Sequence, residues 1–306
     1  MRAVITGATG AVGMALINEL LSRDISVTVL CRASSERSKN IPDDARVQKI
    51  DCPLDKMNEL TLGEKHDMFF HLAWDGTTGT SRNDMYLQNT NVRYTLDAVR
   101  LAHRSGCGVF VGAGSQAEYG RATERLCSST PTFPENGYGI AKLCAGQMSR
   151  KLCRELGIKH VWTRILSVYG EFDGERSLVM STIIKLLNGE RPSFTAGEQI
   201  WDYMYSGDTA KAMTELALCG KDGGIYCLGS GNARPLREYI EAIRDKISPE
   251  AELGFGEIPY AGEQVMHLCA DTRELERDTG FVPCVDFETG ISQTIDWYIR
   301  KENLKK

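Results

Sequence analysis

The chain has 306 residues, enough for about two domains, and its 25% charged and 42% hydrophobic residues are ordinary for a soluble globular protein. A net charge of -5 gives no electrostatic reason to bind nucleic acid or an anionic membrane, so an anionic substrate needs a local cluster of positive groups. Ten scattered cysteines never form a C-x-x-C pair, which argues against a metal site or redox dithiol and for free thiols in a reducing compartment.

In chain order, Arg2–Thr6, Ser26–Cys31, Val47–Asp51, Met68–Leu72 and Val109–Ala113 read as short buried strands. Amphipathic stretches separate them. In Ala11–Arg23, residues Val12, Ala15, Leu16, Leu20 and Leu21 recur at helical spacing. Further helices are expected over Asp84–Arg104 and about Tyr138–Leu156, with a strand at Lys159–Ile165. Near-continuous apolar strands alternating with helices predict an α/β fold, a Rossmann-type doubly wound parallel sheet covered on both faces. After Tyr169 the pattern loosens into shorter elements broken by Gly- and Pro-bearing loops. The expected division is a dinucleotide-binding domain over 1–168 and a smaller substrate-binding lobe over 169–306, with about 199–228 returning to the first domain. A strand beginning at Arg2 leaves no room for a signal peptide, and no apolar run reaches the roughly 18 residues of a membrane span; a cytoplasmic protein is expected.

Thr6-Gly7-Ala8-Thr9-Gly10-Ala11-Val12-Gly13 joins the first strand to the first helix. Glycine permits the tight turn, lets backbone N–H groups approach a pyrophosphate at the helix N-terminus, and at Gly13 allows close helix–strand packing. A glycine triplet alone could be a plain turn; at the first strand–helix junction of an alternating chain it points to a dinucleotide. At the end of the second strand a carboxylate would bind the ribose of NAD. This chain has Cys31-Arg32 there, followed by Ser34, Ser35 and Arg37. Arginine pairs with a 2′-phosphate, so NADP(H) is favoured over NAD(H), unless Arg32 is an ordinary solvated charge. Asp51-Cys52, ending the third strand, stands where an adenine amino group could be bound; Asp51 reads equally as a loop cap.

Tyr138-Gly139-Ile140-Ala141-Lys142 puts a tyrosine and a lysine on one helical face. A free phenol, with a pKa of about 10, is a poor base at neutral pH, and a neighbouring ammonium favours the phenolate. Ser115 follows an expected strand at its carboxyl end, where open α/β sheets bind ligands, and its hydroxyl could hold the substrate oxygen. A turn-capping role is the alternative.

These segments, with Phe70-His71-Leu72-Ala73 and Gly114-Ser115-Gln116-Ala117-Glu118-Tyr119-Gly120, resemble the extended short-chain dehydrogenase/reductases, and within them the nucleotide-sugar epimerase/dehydratase/reductase group. Arg164-x-x-x-Val168-Tyr169-Gly170, Asp202-Tyr203-x-Tyr205-x-x-Asp208 and Tyr226-x-Leu228-Gly229-Ser230-Gly231 extend the likeness over nearly the whole chain. The resemblance implies a nucleotide diphosphate sugar between the lobes, with Tyr138 as acid or base at the C4 oxygen. It implies that Leu72, Ala73, Trp74 and Asn91 border the cofactor, with His71 near it, although His71 and Trp74 could equally pack in the core. It also implies a homodimer built from the two long helices, through Leu87, Val92, Leu96, Leu143, Met148 and Leu152.

Departures narrow the chemistry. Related dehydratases carry an adjacent Asp-Glu pair where this chain has Gln116-Ala117, and an amide and a methyl cannot exchange those protons. Many epimerases have asparagine where Ser167 stands and arginine where Trp201 stands, to grip the nucleotide diphosphate; Arg176, Arg191 or Arg234 could supply that charge instead. The expected function is a sugar-nucleotide 4-ketoreductase or epimerase. A reductase of another small carbonyl and a non-catalytic dinucleotide sensor are the alternatives, the latter disfavoured by the intact Ser115, Tyr138 and Lys142.

Overall fold

Seven strands lie parallel in one sheet in the computed structural model, which describes residues 1–303. They are β1 (Arg2–Thr6), β2 (Ser26–Cys31), β3 (Val47–Asp51), β4 (Met68–His71), β5 (Val109–Ser115), β6 (Lys159–Ile165) and β10 (Gly224–Leu228). Their order across the sheet is β3-β2-β1-β4-β5-β6-β10. The order reverses between β1 and β4, and the crevice above the carboxyl ends of such a pair is where ligands bind in this architecture.

Side chains alternate along each strand, and both faces are covered. Ile5, Val29, Phe70, Val111 and Val161 point to one face, against Leu16, Ile17 and Leu20 of α1 (Ala11–Ser22) and Met213 and Leu216 of α5 (Ser206–Cys219). Val4, Leu30, Phe69 and Phe110 point to the other, against Ala98, Val99 and Leu101 of α2 (Met85–Arg104) and Cys153 of α3 (Gly137–Leu156). Each fully buried Leu, Ile, Val or Phe contributes about 1.5–3 kcal/mol, so this double-sided core is the main stabilising term.

The element boundaries follow local chemistry. Asp84, expected inside the second helix, is its N-cap and accepts from Leu87 N at 3.1 Å. Asn136 caps α3 by accepting from Gly139 N at 2.9 Å, so that helix starts at Gly137. β5 runs two residues further than expected because Gly114 and Ser115 pair with Arg164 and Ile165 of β6.

Beyond β6 the chain leaves the sheet. β7 (Ser167–Tyr169) pairs with β9 (Tyr203–Tyr205), and β8 (Ile200–Trp201) pairs with β11 (Arg234–Pro235). Around them α4 (Leu178–Leu187), α6 (Leu236–Ile247) and α8 (Phe287–Asn303) enclose a separate core of Tyr169, Ile183, Tyr239, Ile240, Phe287 and Ile291. The expected return of about 199–228 to the first sheet is made by α5, which packs on α1, and by β10, which adds the edge strand beside β6. Trp201 of β8 and Tyr203 and Tyr205 of β9 pack on the second core, whereas Met204 of β9 joins the core between the sheet, α1 and α5. A short helix, α7 (Arg273–Thr279), packs near β10.

Candidate functional site

Gly7 has φ +73°, and a Cβ on it would stand 2.5 Å from Ala73 N, so only glycine lets the β1 turn lie against the chain leaving β4. A Cβ on Gly13 would meet Ala8 Cα and Gly7 O at 2.5 Å, which brings α1 directly onto the turn. Over Gly10, by contrast, there is open space. Gly10 is also the N-cap of α1 and carries no side-chain cap, so the first amides of the helix face that space. These features fit a bound pyrophosphate: free donors, a helix dipole and room.

From this turn a cleft of about 300 Å³ runs past Thr9, Cys31, Arg32, Cys52, Ala73 and Trp74. Arg32 is exposed and pairs with no carboxylate among the described residues. Asp51 Oδ1 accepts from Ala33 N at 2.8 Å. It therefore fixes the turn that carries Arg32, the loop-capping reading, while Cys52 lines the cleft. Ala11 and Val12 form the first turn of α1. Leu72 donates its N–H to Thr6 O at 3.1 Å and packs on the sheet core.

His71 belongs to the core. Its Nδ1 lies 2.9 Å from Thr6 Oγ1, and burial with the nearby Lys142 pushes its pKa down to about 3, so the ring is neutral. Trp74 belongs to the site. Its Nε1 donates to Gln88 Oε1 at 2.8 Å, and its ring meets Tyr138 edge-on with centroids 6.0 Å apart. Asn91 is buried and exchanges hydrogen bonds with the backbone of Asp75 at 2.9 Å each, besides donating to Leu87 O. Its amide anchors the loop after Trp74, so its action toward the cleft runs through that loop.

Ser115, Tyr138 and Lys142 converge beside Trp74. The Ser115 hydroxyl accepts from Ala117 N at 3.2 Å, so it does cap the turn after β5. A hydroxyl keeps its own O–H and a second lone pair, and capping leaves these for another oxygen. Burial raises the Tyr138 pKa, and the Ser115 hydroxyl and Arg82 guanidinium pull it back down. Lys142 is buried. Its Nζ donates to Ala113 O at 2.6 Å and stands 3.8 Å from the Trp74 ring centroid and 5.8 Å from that of Tyr138. Burial, partly offset by Glu118, brings its pKa down to about 7. The lysine is thus only partly charged at neutral pH.

Two features were not legible beforehand. Glu118, wholly buried, accepts from Ser115 N at 2.9 Å, Trp162 Nε1 at 2.9 Å and Arg164 Nε at 2.7 Å. Arg82 lays its guanidinium over the Tyr138 ring, 4.3 Å from the centroid. Glu118 stood in a recognisable motif, but its partner lies on another strand; Arg82 sits in a loop without any spacing signal.

In the second lobe a cavity of about 400 Å³ is lined by Arg176, Lys185, Phe194, Gln199, Trp201 and Tyr203 among others. Trp201 Nε1 donates to Ser167 Oγ at 2.8 Å, so the two departures from the epimerase pattern are partners. Arg191 pairs with Glu257 at 2.7 Å and Arg234 with Glu288 at 2.7 Å. Of the three candidate arginines, Arg176 alone lines this cavity.

The model of the NAD dependent epimerase/dehydratase family matches residues 3–229. The chain belongs to that family. A putative UDP-glucose 4-epimerase of Methanocaldococcus jannaschii is 26% identical over 301 residues, covering 96% of this chain and 97% of that protein. The fold is similar to UDP-N-acetylglucosamine 4-epimerase from Methanobrevibacter ruminantium M1, solved with UDP-N-acetylmuramic acid (TM-score 0.89, 23% identity, 98% of each chain). It is also similar to dTDP-glucose 4,6-dehydratase from Streptomyces venezuelae, solved with NAD (TM-score 0.87, 21% identity, 99% of this chain and 98% of that one). No helix among the described residues is long and apolar enough to cross a membrane.

Lys142 makes stability depend on pH in a known direction. Between about pH 7 and the ordinary lysine range, the unfolded chain holds a proton that the folded chain has released, so unfolding becomes harder as pH rises. The unfolding free energy of the unmutated protein minus that of Lys142→Met is expected to increase from pH 7 to pH 9 in urea titrations; a flat or falling difference would contradict the lowered pKa.

Proposed function

We propose that the protein is a nicotinamide-dependent oxidoreductase acting at C4 of a nucleotide diphosphate sugar, as a 4-epimerase or a 4-ketoreductase. The observation that carries this reading is the convergence of Ser115, Tyr138 and Lys142 beside Trp74, which itself lines the cleft that begins at the glycine turn. When bound, the nicotinamide supplies the hydride acceptor and donor. Tyr138 would take the proton from the C4 hydroxyl oxygen as the hydrogen on C4 leaves as hydride and the C4 carbonyl forms, and would return it in the reverse direction. The Ser115 hydroxyl holds the same oxygen. Lys142, close beneath Trp74 and facing the cleft side of α3, orients the cofactor ribose and adds positive charge when protonated. Gln116 and Ala117 offer no acid/base pair for water elimination, which disfavours 4,6-dehydration.

Arg32, with Ser35 beside it in the cleft wall, supports NADP(H) over NAD(H), and NADPH suits the ketoreductase branch. The relatives' NAD-bound structures support the other choice, so the cofactor is the point that separates the two branches. A reductase of another small carbonyl is the second reading, favoured by Trp201 in place of a phosphate-gripping arginine. Mass spectrometry of the purified protein, reading any retained dinucleotide and nucleotide sugar, decides between them.

A homodimer through α2 and α3 completes the proposal. Leu96, Met148 and Leu152 line an open groove between these helices, whereas Val92 packs inward with Ala141, Ala145 and Trp162. The intersubunit face is therefore narrower than the sequence list of Leu87, Val92, Leu96, Leu143, Met148 and Leu152.

Three measurements follow from this reading. Tyr138→Phe removes the proton and keeps the ring, so single-turnover hydride transfer should fall by about 10²–10⁴-fold while cofactor affinity changes little; a wild-type rate would revive the sensor. Calorimetry should find NADPH tighter than NADH, with Arg32→Asp erasing or reversing the preference, and equal binding by the unmutated protein removes Arg32 from the cofactor site. Sedimentation at micromolar concentration should give a dimer, and a monomer there overturns the α2–α3 interface.

A further inference from the structure

We propose that Arg82 is a positioning residue for Tyr138, a fixed cation laid on the phenol face that holds the ring and favours its ionised form. The inference rests on the acid/base role of Tyr138 argued above and names the group that tunes it.

The geometry is specific. The Arg82 guanidinium carbon is 4.3 Å from the Tyr138 ring centroid, within cation–π range. Its Nη1 donates to Thr77 O at 3.1 Å, and it pairs with no carboxylate among the described residues. The loop that carries it is tied down at both ends. Gln88 Nε2 donates to Gly76 O at 2.8 Å and Ser81 O at 2.9 Å, and Asn83 Oδ1 accepts from Gly137 N at 3.0 Å. A Cβ on Gly137 would stand 2.9 Å from Arg82 O, so the loop lies directly on the first turn of α3, one residue before Tyr138. Loop and tyrosine are thus held as one unit.

Three charged groups act around the phenol. Glu118, from the turn after β5, opposes ionisation, but it is neutralised by Arg164 at 2.7 Å. Lys142, on the same helix, directs its Nζ to Ala113 O and the Trp74 face, and its burial leaves it partly neutral near pH 7. Arg82, from the loop, cannot lose its proton at any working pH. The neutral neighbours are Ser115 and Trp74. In the absence of ligand, the permanent positive charge on Tyr138 is therefore Arg82, and a phenol beside it ionises more easily.

The test uses no substrate, so its outcome is independent of whether the sugar-nucleotide reading holds. The protein is prepared with tyrosine labelled with ¹³C at Cζ, and the Tyr138 resonance is assigned by its disappearance in Tyr138→Phe. Its shift is followed against pH in the unmutated protein, Arg82→Met, Arg82→Gln and Arg82→Lys. Arg82→Met and Arg82→Gln should raise the Tyr138 pKa by about one unit, the low end of what an opposite charge at this range does. Arg82→Lys should recover most of that shift. Loss of any Tyr138 titration before the protein unfolds counts as a rise. If either neutral variant is folded and leaves the Tyr138 pKa unchanged, or if Arg82→Lys raises it as much as the neutral variants do, the proposal is overturned. Two neutral variants are included so that one failing to fold does not remove the test.

Discussion

The buried carboxylate of Glu118 is the contact on which the site is hung. It sits where β5 ends, with no solvent, and an unpaired charge there would be prohibitively costly. The fold satisfies it three ways, through Ser115 N, the Trp162 indole and the Arg164 guanidinium. Removing one partner of such a pair costs about 3–5 kcal/mol, so the three donors are locked in register. Locking them sets the rest. Trp162 needs space, and Gly112, Gly114 and Gly146 supply it: a Cβ on each would come within 2.3, 2.3 and 2.6 Å of the indole. Gly139 completes the approach, because a Cβ there would stand 2.2 Å from Ala117 O. Helix α3 therefore lies directly on the turn that Glu118 organises, and Tyr138, next to Gly139, is delivered to Ser115.

The central strands were legible because they are short apolar runs buried on both faces, whereas the edge strand β3, expected to be buried, is half-buried at Val47 and Ile50 and exposed at Gln48, Lys49 and Asp51. The glycine turn was legible because backbone geometry restricts it to one residue type. Tyr138 and Lys142 were legible because helical spacing fixes which side chains share a face. What stayed hidden depends on contacts between distant segments. Arg164 lies 46 residues from Glu118, and no local pattern joins them. Ser115 looked like a choice between catalyst and cap, yet a hydroxyl has capacity for both. Asp51 and Asn91 carry the right chemistry for a ligand and also hold the backbone at Ala33 and Asp75, contacts that no local pattern announces. Burial, which spacing cannot report, counts against the ammonium form of Lys142.

In the proposed mechanism Lys142 and Arg82 would divide between them a task that a single cation would do poorly. A cation strong enough to ionise tyrosine must be near it, and a cation that contacts a buried ribose must itself be buried. Burial erodes the charge of a lysine and leaves that of an arginine intact. The chain puts the lysine inside, against Ala113 O and Trp74, and the arginine at the half-exposed rim over the phenol.

The same reasoning separates the substrate cavity from the pattern that the family would suggest. An arginine at position 201 would present five donors in a fork suited to phosphate. Trp201 presents one, and Ser167 accepts it at 2.8 Å. The indole therefore has no N–H left for a ligand. Glu257 and Glu288 hold Arg191 and Arg234 in ion pairs, which leaves Arg176 and Lys185 as the cavity's cations without a carboxylate partner among the described residues. Arg176 stands just before α4 and Lys185 lies within it. The positive charge of this cavity therefore lies at α4, and Ser167 and Trp201 contribute an uncharged, mutually hydrogen-bonded pair to the same region.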